Sequence, residues 1–79
     1  MAYIDLKTWL PQYNFKVDGD TLNYDGCCIF SVVYNGDYNV TWYLQDMPIS
    51  SSAFLEEEDA KQFIMDCIDE YDDFVMRDV

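Results

Sequence analysis

Apolar and polar positions alternate through the first two thirds of this chain and then switch to a helical period. Asp5 reads as the N-cap of a short helix through Leu6, Trp9 and Leu10, with Ile4 and Tyr13 completing its apolar side. Pro11 limits its length, because a helix interior tolerates proline poorly. Phe15-Lys16-Val17 alternates, meets the turn signal Asp18-Gly19-Asp20, and resumes at Leu22 and Tyr24. This stretch predicts a first strand and a small hairpin with residues 21–24. Asp25-Gly26 marks the next turn. Asn35-Gly36 lies between Cys27–Tyr34 and Asp37–Gln45, both rich in β-branched and aromatic residues, and predicts a two-residue type I′ hairpin.

That turn sets a register in which Tyr34 faces Asp37. Val33, Ser31, Ile29 and Cys27 then face Tyr38, Val40, Trp42 and Leu44 on one side of the sheet. Cys28, Phe30, Val32 and Tyr34 share the other side with Asp37, Asn39, Thr41 and Tyr43. The first side is the more apolar, so the long helix is expected over it. Asp46-Met47-Pro48 ends the strand, and Ile49 to Leu55 reads as either a short edge strand or a lead into the helix. From Ala60 onward Ala60, Phe63, Ile64, Cys67, Ile68, Tyr71, Phe74 and Val75 fall within a stripe about 140° wide at ~100° per residue. The predicted class is α+β: an antiparallel three- to four-stranded sheet with a short N-terminal helix and a long C-terminal amphipathic helix on one face. The order is αβββα, in one domain spanning residues 1–79. Double-stranded-RNA-binding domains share that order. They hold phosphates with Lys and Arg, of which this chain has four, so the analogy stops at the fold.

Charge alters the picture of the last helix. The segment from Leu55 to Val79 carries ten carboxylates (Glu56, Glu57, Glu58, Asp59, Asp66, Asp69, Glu70, Asp72, Asp73 and Asp78) against two bases, Lys61 and Arg77. It therefore holds −8 of the chain's net −12. Like charge at this density weakens folding by self-repulsion. Glu56 to Asp59 sit at the helix start, where the positive end of the dipole favours them; Asp72, Asp73 and Asp78 sit at the end where it does not.

Composition removes several function classes. With half its residues apolar and 18% aromatic, the chain is too rich in core formers for a disordered acidic tail. There is no histidine, hence no Ser-His or Cys-His pair and none of the commonest metal ligand. The three glycines stand in turn contexts rather than in a phosphate loop. Asp18-Gly19-Asp20 with Asp25 lacks the spacing and closing Glu of a calcium loop. No catalytic residue, metal or cofactor is expected, and the protein is not expected to be an enzyme. Three cysteines, Cys27, Cys28 and Cys67, make an odd count without a C-x-x-C spacing, and read as reduced thiols that pack as small hydrophobes. The first ten residues lack a signal-peptide pattern, no apolar run has membrane-span length, and anionic lipid would repel the chain, so a cytoplasmic setting is expected.

Two surfaces remain as candidates for binding. The first is the acidic helix face, with Glu58, Asp59, Asp66, Asp69, Glu70, Asp72 and Asp73. Ten carboxylates over 25 residues, about 37 Å of helix, give one per ~3.7 Å, close to the ~3.4 Å phosphate spacing of one DNA strand. The second is the predicted outer sheet face, with Phe30, Tyr34, Tyr43 and Val32, which suits a partner or a second copy of this chain. Trp9 and Trp42 are expected in the core, and Met65 and Met76 on the polar side of the helix. In size, acidity and α/β character the chain resembles small phage-encoded anti-CRISPR and anti-restriction proteins that mimic nucleic acid. The resemblance implies a viral inhibitor acting in the host cytoplasm. Its partner would be a basic nucleic-acid-binding protein, such as a CRISPR effector subunit or a restriction factor, with no direct contact to nucleic acid. An immunity protein neutralising a toxin nuclease would use the same electrostatics. An interaction module whose acidity only maintains solubility is the third reading.

Overall fold

The computed structural model describes residues 5–24 and 26–77, with side chains as far as Phe74. Ile4 of the expected first helix, Asp25 of the second turn, Asp78, and the side chains of Val75, Met76 and Arg77 lie outside the described residues. A 3-10 turn, Leu6–Thr8, leads into five strands: β1 (Lys16–Asp18), β2 (Thr21–Tyr24), β3 (Cys28–Tyr34), β4 (Tyr38–Leu44) and β5 (Met47–Phe54). The helix α1 (Glu57–Arg77) follows. The strands form one antiparallel meander in chain order, and α1 packs on one face of it. The α+β class holds. The strand count rises to five, and the N-terminal helix shrinks to a single turn.

That turn still does what a helix was expected to do. Asp5 Oδ1 accepts from the Lys7 backbone N–H at 3.3 Å, as an N-cap does, and Thr8 and Trp9 N–H bond back to the carbonyls of Asp5 and Leu6. Pro11 follows too soon for a second turn. Leu6, Trp9 and Leu10 are each 5% exposed or less, so the segment works as an apolar plug beside α1. The Trp9 indole N–H donates to Glu57 Oε1 at 2.6 Å, and Lys61 lies 5.8 Å from the Trp9 ring centre. This ties the plug to the first turn of α1.

The central hairpin departs from expectation by one residue. Tyr34 pairs with Tyr38, not Asp37, and Asn35, Gly36 and Asp37 form a three-residue loop closed by Asn35 N–H to the Asp37 carbonyl at 3.1 Å. Gly36 supplies the loop's left-handed backbone at φ +84°. One added loop residue turns every β3 side chain over relative to β4. Phe30 now lies opposite Trp42 and Val32 opposite Val40, instead of Thr41 and Asn39. Hydrophobic matching explains the choice: the two-residue register would leave Phe30 and Val32 on the face away from the helix.

The two-residue turn occurs one hairpin later. Leu44 pairs with Met47, and both connecting residues have positive φ, Gln45 at 51° and Asp46 at 67°. That combination defines a type I′ turn, which favours Asn-Gly. Neither Gln nor Asp is relieved of the Cβ clash that disfavours the left-handed region. Replacing Gln45-Asp46 by Asn-Gly is expected to stabilise the fold by about 1 kcal/mol, read as a higher urea midpoint with an unchanged slope.

The core lies between α1 and the inner sheet face. Leu22, Cys28, Phe30, Val40, Ile64 and Ile68 are fully buried, and Phe30 stacks on Trp42 with ring centres 6.2 Å apart. Tyr13, Phe15 and Tyr24 close the β1–β2 side through ring contacts of 5.6–6.1 Å, and Phe54 meets Phe63 at 5.4 Å on the β5 side. The opposite face of the sheet is covered by no described element. From β2 to β5 its exposed and half-exposed residues, Asn23, Ile29, Val33, Asn39, Thr41 and Tyr43 among them, carry no charge.

Candidate functional site

The helix α1 holds the carboxylates in three environments. At its start Glu57 accepts from Trp9 and, with Glu58, receives Lys61 at 3.6 and 3.9 Å. On the flank above β2, Asp72 is half-buried, and both its oxygens lie 3.3 Å from the Tyr24 hydroxyl, which donates to them. Asp72 thus anchors the helix to the sheet. Glu58 is itself exposed, and Asp59, Asp66, Asp69, Glu70 and Asp73 continue the exposed set on the side away from Ile64 and Ile68. Asp59, Asp66 and Asp73 recur every seven residues, so they form one column at ~10.5 Å intervals. Gln62 donates to Asp66 at 2.9 Å within this ridge. Burial raises the Tyr13 phenol above its ordinary pKa, and the nearby carboxylates of Asp69, Asp72 and Asp66 add to the shift.

The expected aromatic surface does not assemble. Phe30 has no exposed area, so it offers nothing to a partner. Tyr34 lies on the same inner face, its ring 4.7 Å from Tyr38, while Tyr43 lies on the outer face. The changed register separates these residues, and with them the surface on which a second copy was expected to dock. Trp9 and Trp42 are core, as expected, at 5% and 6% exposure. Met65 is not on a polar face: it is half-buried against the core, and its sulfur accepts from Gln12 Nε2 at 3.4 Å.

Residues outside the expected set shape a second feature. A β-bulge between Trp42 and Tyr43 takes Ile49 out of the ladder, since Trp42 pairs with Ser50 and Tyr43 with Pro48. Ile49 then borders a groove of about 270 Å³ between β5 and the second half of α1, with Trp42, Leu44, Tyr71 and Phe74 as its apolar wall and Glu70 and Asp73 on its rim. Phe74 falls within the helix's apolar stripe yet is 67% exposed, and Ile49 is 48% exposed. Neither signal was legible beforehand, because a bulge depends on strand pairing rather than on any local pattern.

The cysteines are free thiols. Cys28 is buried and accepts from the Trp42 indole at 3.2 Å, and Cys27 lies 3.0 Å from the Tyr71 hydroxyl. Burial pushes the Cys67 thiol up to about 12, with Glu70, Cys28 and Asp66 adding to the shift. It stays protonated at neutral pH and is a poor nucleophile. A thiol reagent at pH 8 is therefore expected to leave Cys67 unmodified in the native protein and to label it on unfolding in urea, as peptide mass mapping will report. Among the described residues no cluster of three metal-ligating side chains occurs, and no helix is long and apolar enough to cross a membrane. No family model, curated protein or solved structure matches this chain.

Proposed function

We propose that this protein is an acidic inhibitor that binds a basic nucleic-acid-binding protein in the cytoplasm and keeps DNA or RNA out by occupying its site. The observation that carries this reading is the exposed ridge of Glu58, Asp59, Asp66, Asp69, Glu70 and Asp73, six carboxylates among the described side chains of a 21-residue helix. The basic residue whose side chain is described on α1, Lys61, turns to Glu57 and Glu58 at the helix start and leaves the middle of the ridge unneutralised. A surface evolved only for solubility interleaves both signs. Carboxylates fixed on a helix are pre-positioned for a cationic groove, and the attraction is strong at low salt and weaker as salt rises. Asp72 is left out of the binding set because it is engaged by Tyr24.

A CRISPR effector subunit or a restriction factor is the partner class this reading favours, and a toxin nuclease is the second. The test is affinity capture from host extract at low and raised salt, followed by challenge of the captured protein with duplex DNA and with RNA. Mimicry requires a basic nucleic-acid-binding protein that is released by nucleic acid. Capture of nothing basic, or of a protein that nucleic acid does not displace, would refute it.

A further inference from the structure

We infer that the groove between β5 and the second half of α1 seats an apolar side chain from a basic segment of the partner, an inference that rests on the inhibitor reading above. Its apolar wall is built by Trp42, Leu44, Ile49, Tyr71 and Phe74, and its volume of about 270 Å³ accommodates a leucine- or phenylalanine-sized group. Ile49 and Phe74, two large apolar side chains 48% and 67% exposed, both border this one groove. Burying them gives an occupant a contact that charge alone does not supply.

Charge decides which occupant fits. Glu70 and Asp73 stand on the rim, and the column through Asp66 and Asp59 continues away from it. The groove also lies beside the last two turns of α1, where the negative end of the helix dipole adds to the carboxylates. A second copy of this chain, at net −12, is repelled from such a rim, as is an anionic lipid surface. A segment with an apolar residue flanked by Arg or Lys satisfies the wall and the rim together. β5 is an edge strand, so the groove is open along one side to an incoming chain. In this arrangement the acidic ridge attracts the partner, and the groove fixes where along the ridge it sits.

Three pentapeptides test this, RRLRR, RRGRR and GGLGG, titrated into the full-length protein and followed by backbone amide and methyl NMR shifts. RRLRR is expected to bind at least ~5-fold more tightly, with shifts at Leu44, Ile49, Tyr71 and Phe74, whereas RRGRR shifts spread along Asp59, Asp66 and Asp73. Phe74→Ser and Ile49→Ser, at exposed positions that leave the core intact, are expected to bring RRLRR down to the level of RRGRR and leave RRGRR unchanged. Equal binding of RRLRR and RRGRR overturns the groove inference while the charge reading stands. Absence of binding by either of these at low salt overturns both. Binding of uncharged GGLGG as tight as that of RRLRR overturns the requirement for a basic segment.

Discussion

Reversing Asp66, Asp69 and Asp73 to lysine is expected to abolish capture of the basic partner, with a loss of affinity of at least ~100-fold at low salt. Three acids become three bases, so the local charge changes by six units while the helix backbone is kept. Like charges brought together across an interface cost several kcal/mol, enough for a loss of that size. The three side chains are exposed; the variant gives up the Gln62–Asp66 bond and an interaction that Asp73 makes within the fold. Lysine at position 73 lies in the last two turns of α1, where the dipole favours a cation, and relief of like-charge repulsion acts in the same direction. The variant should therefore unfold at the same temperature as the parent or above it, which separates lost binding from lost structure. A variant that binds and inhibits as the parent does would end the mimicry reading.

A second triple variant makes the result specific to the ridge. Asp18, Asp20 and Asp37 lie in β1 and in two hairpin turns, away from α1. Converting them to lysine changes the net charge by the same six units without touching the helix. Mimicry predicts a small decrease in association rate, because long-range steering follows total charge, but retained affinity. An equal loss in both variants would mean that the partner responds to net charge alone.

Much of this fold could be read from local chemistry. Asp18-Gly19-Asp20 and Asn35-Gly36 each mark a reversal, Gly26 stands between β2 and β3, and Ile64, Cys67, Ile68 and Tyr71 give the buried stripe of α1 by spacing alone. What escaped the sequence depends on pairing between distant segments. Ser50-Ser51-Ser52 lacks the alternation that announces a strand, yet it is strand because β4 supplies an edge with unmet hydrogen bonds. Gln45-Asp46 gives a poor signal for a type I′ turn and adopts one because its flanking strands pair. The sequence counts Asp72 with the carboxylates of the acidic binding set; only the arrival of Tyr24 from β2 gives it a structural partner. The acidic ridge was legible because exposure on a helix follows from period. The groove was not, because it is made by a bulge in one element and an overhanging ring in another.

The largest stability effect should come from Phe30→Ala, and its comparison with Ile29→Ala tests the register of the whole sheet. Phe30 has no exposed area and stacks on Trp42, while Ile29 points to the uncovered face opposite Tyr43. Truncating a buried phenylalanine costs about 3–5 kcal/mol, through lost transfer energy and the cavity left behind. A domain of this length is stable by about 4–12 kcal/mol at ~0.05–0.15 kcal/mol per residue, so Phe30→Ala removes a large share and leaves much of the chain unfolded at 37 °C. Ile29→Ala keeps the inner core intact and should cost about 1 kcal/mol or less. Urea unfolding of both variants measures the difference, expected to be at least about 2 kcal/mol with Phe30 the costlier. The two-residue Asn35-Gly36 turn would place Ile29 under the helix and Phe30 on the outer face, and so predicts the reverse order. The ranking of two adjacent residues in one strand therefore reports the length of a loop five residues away.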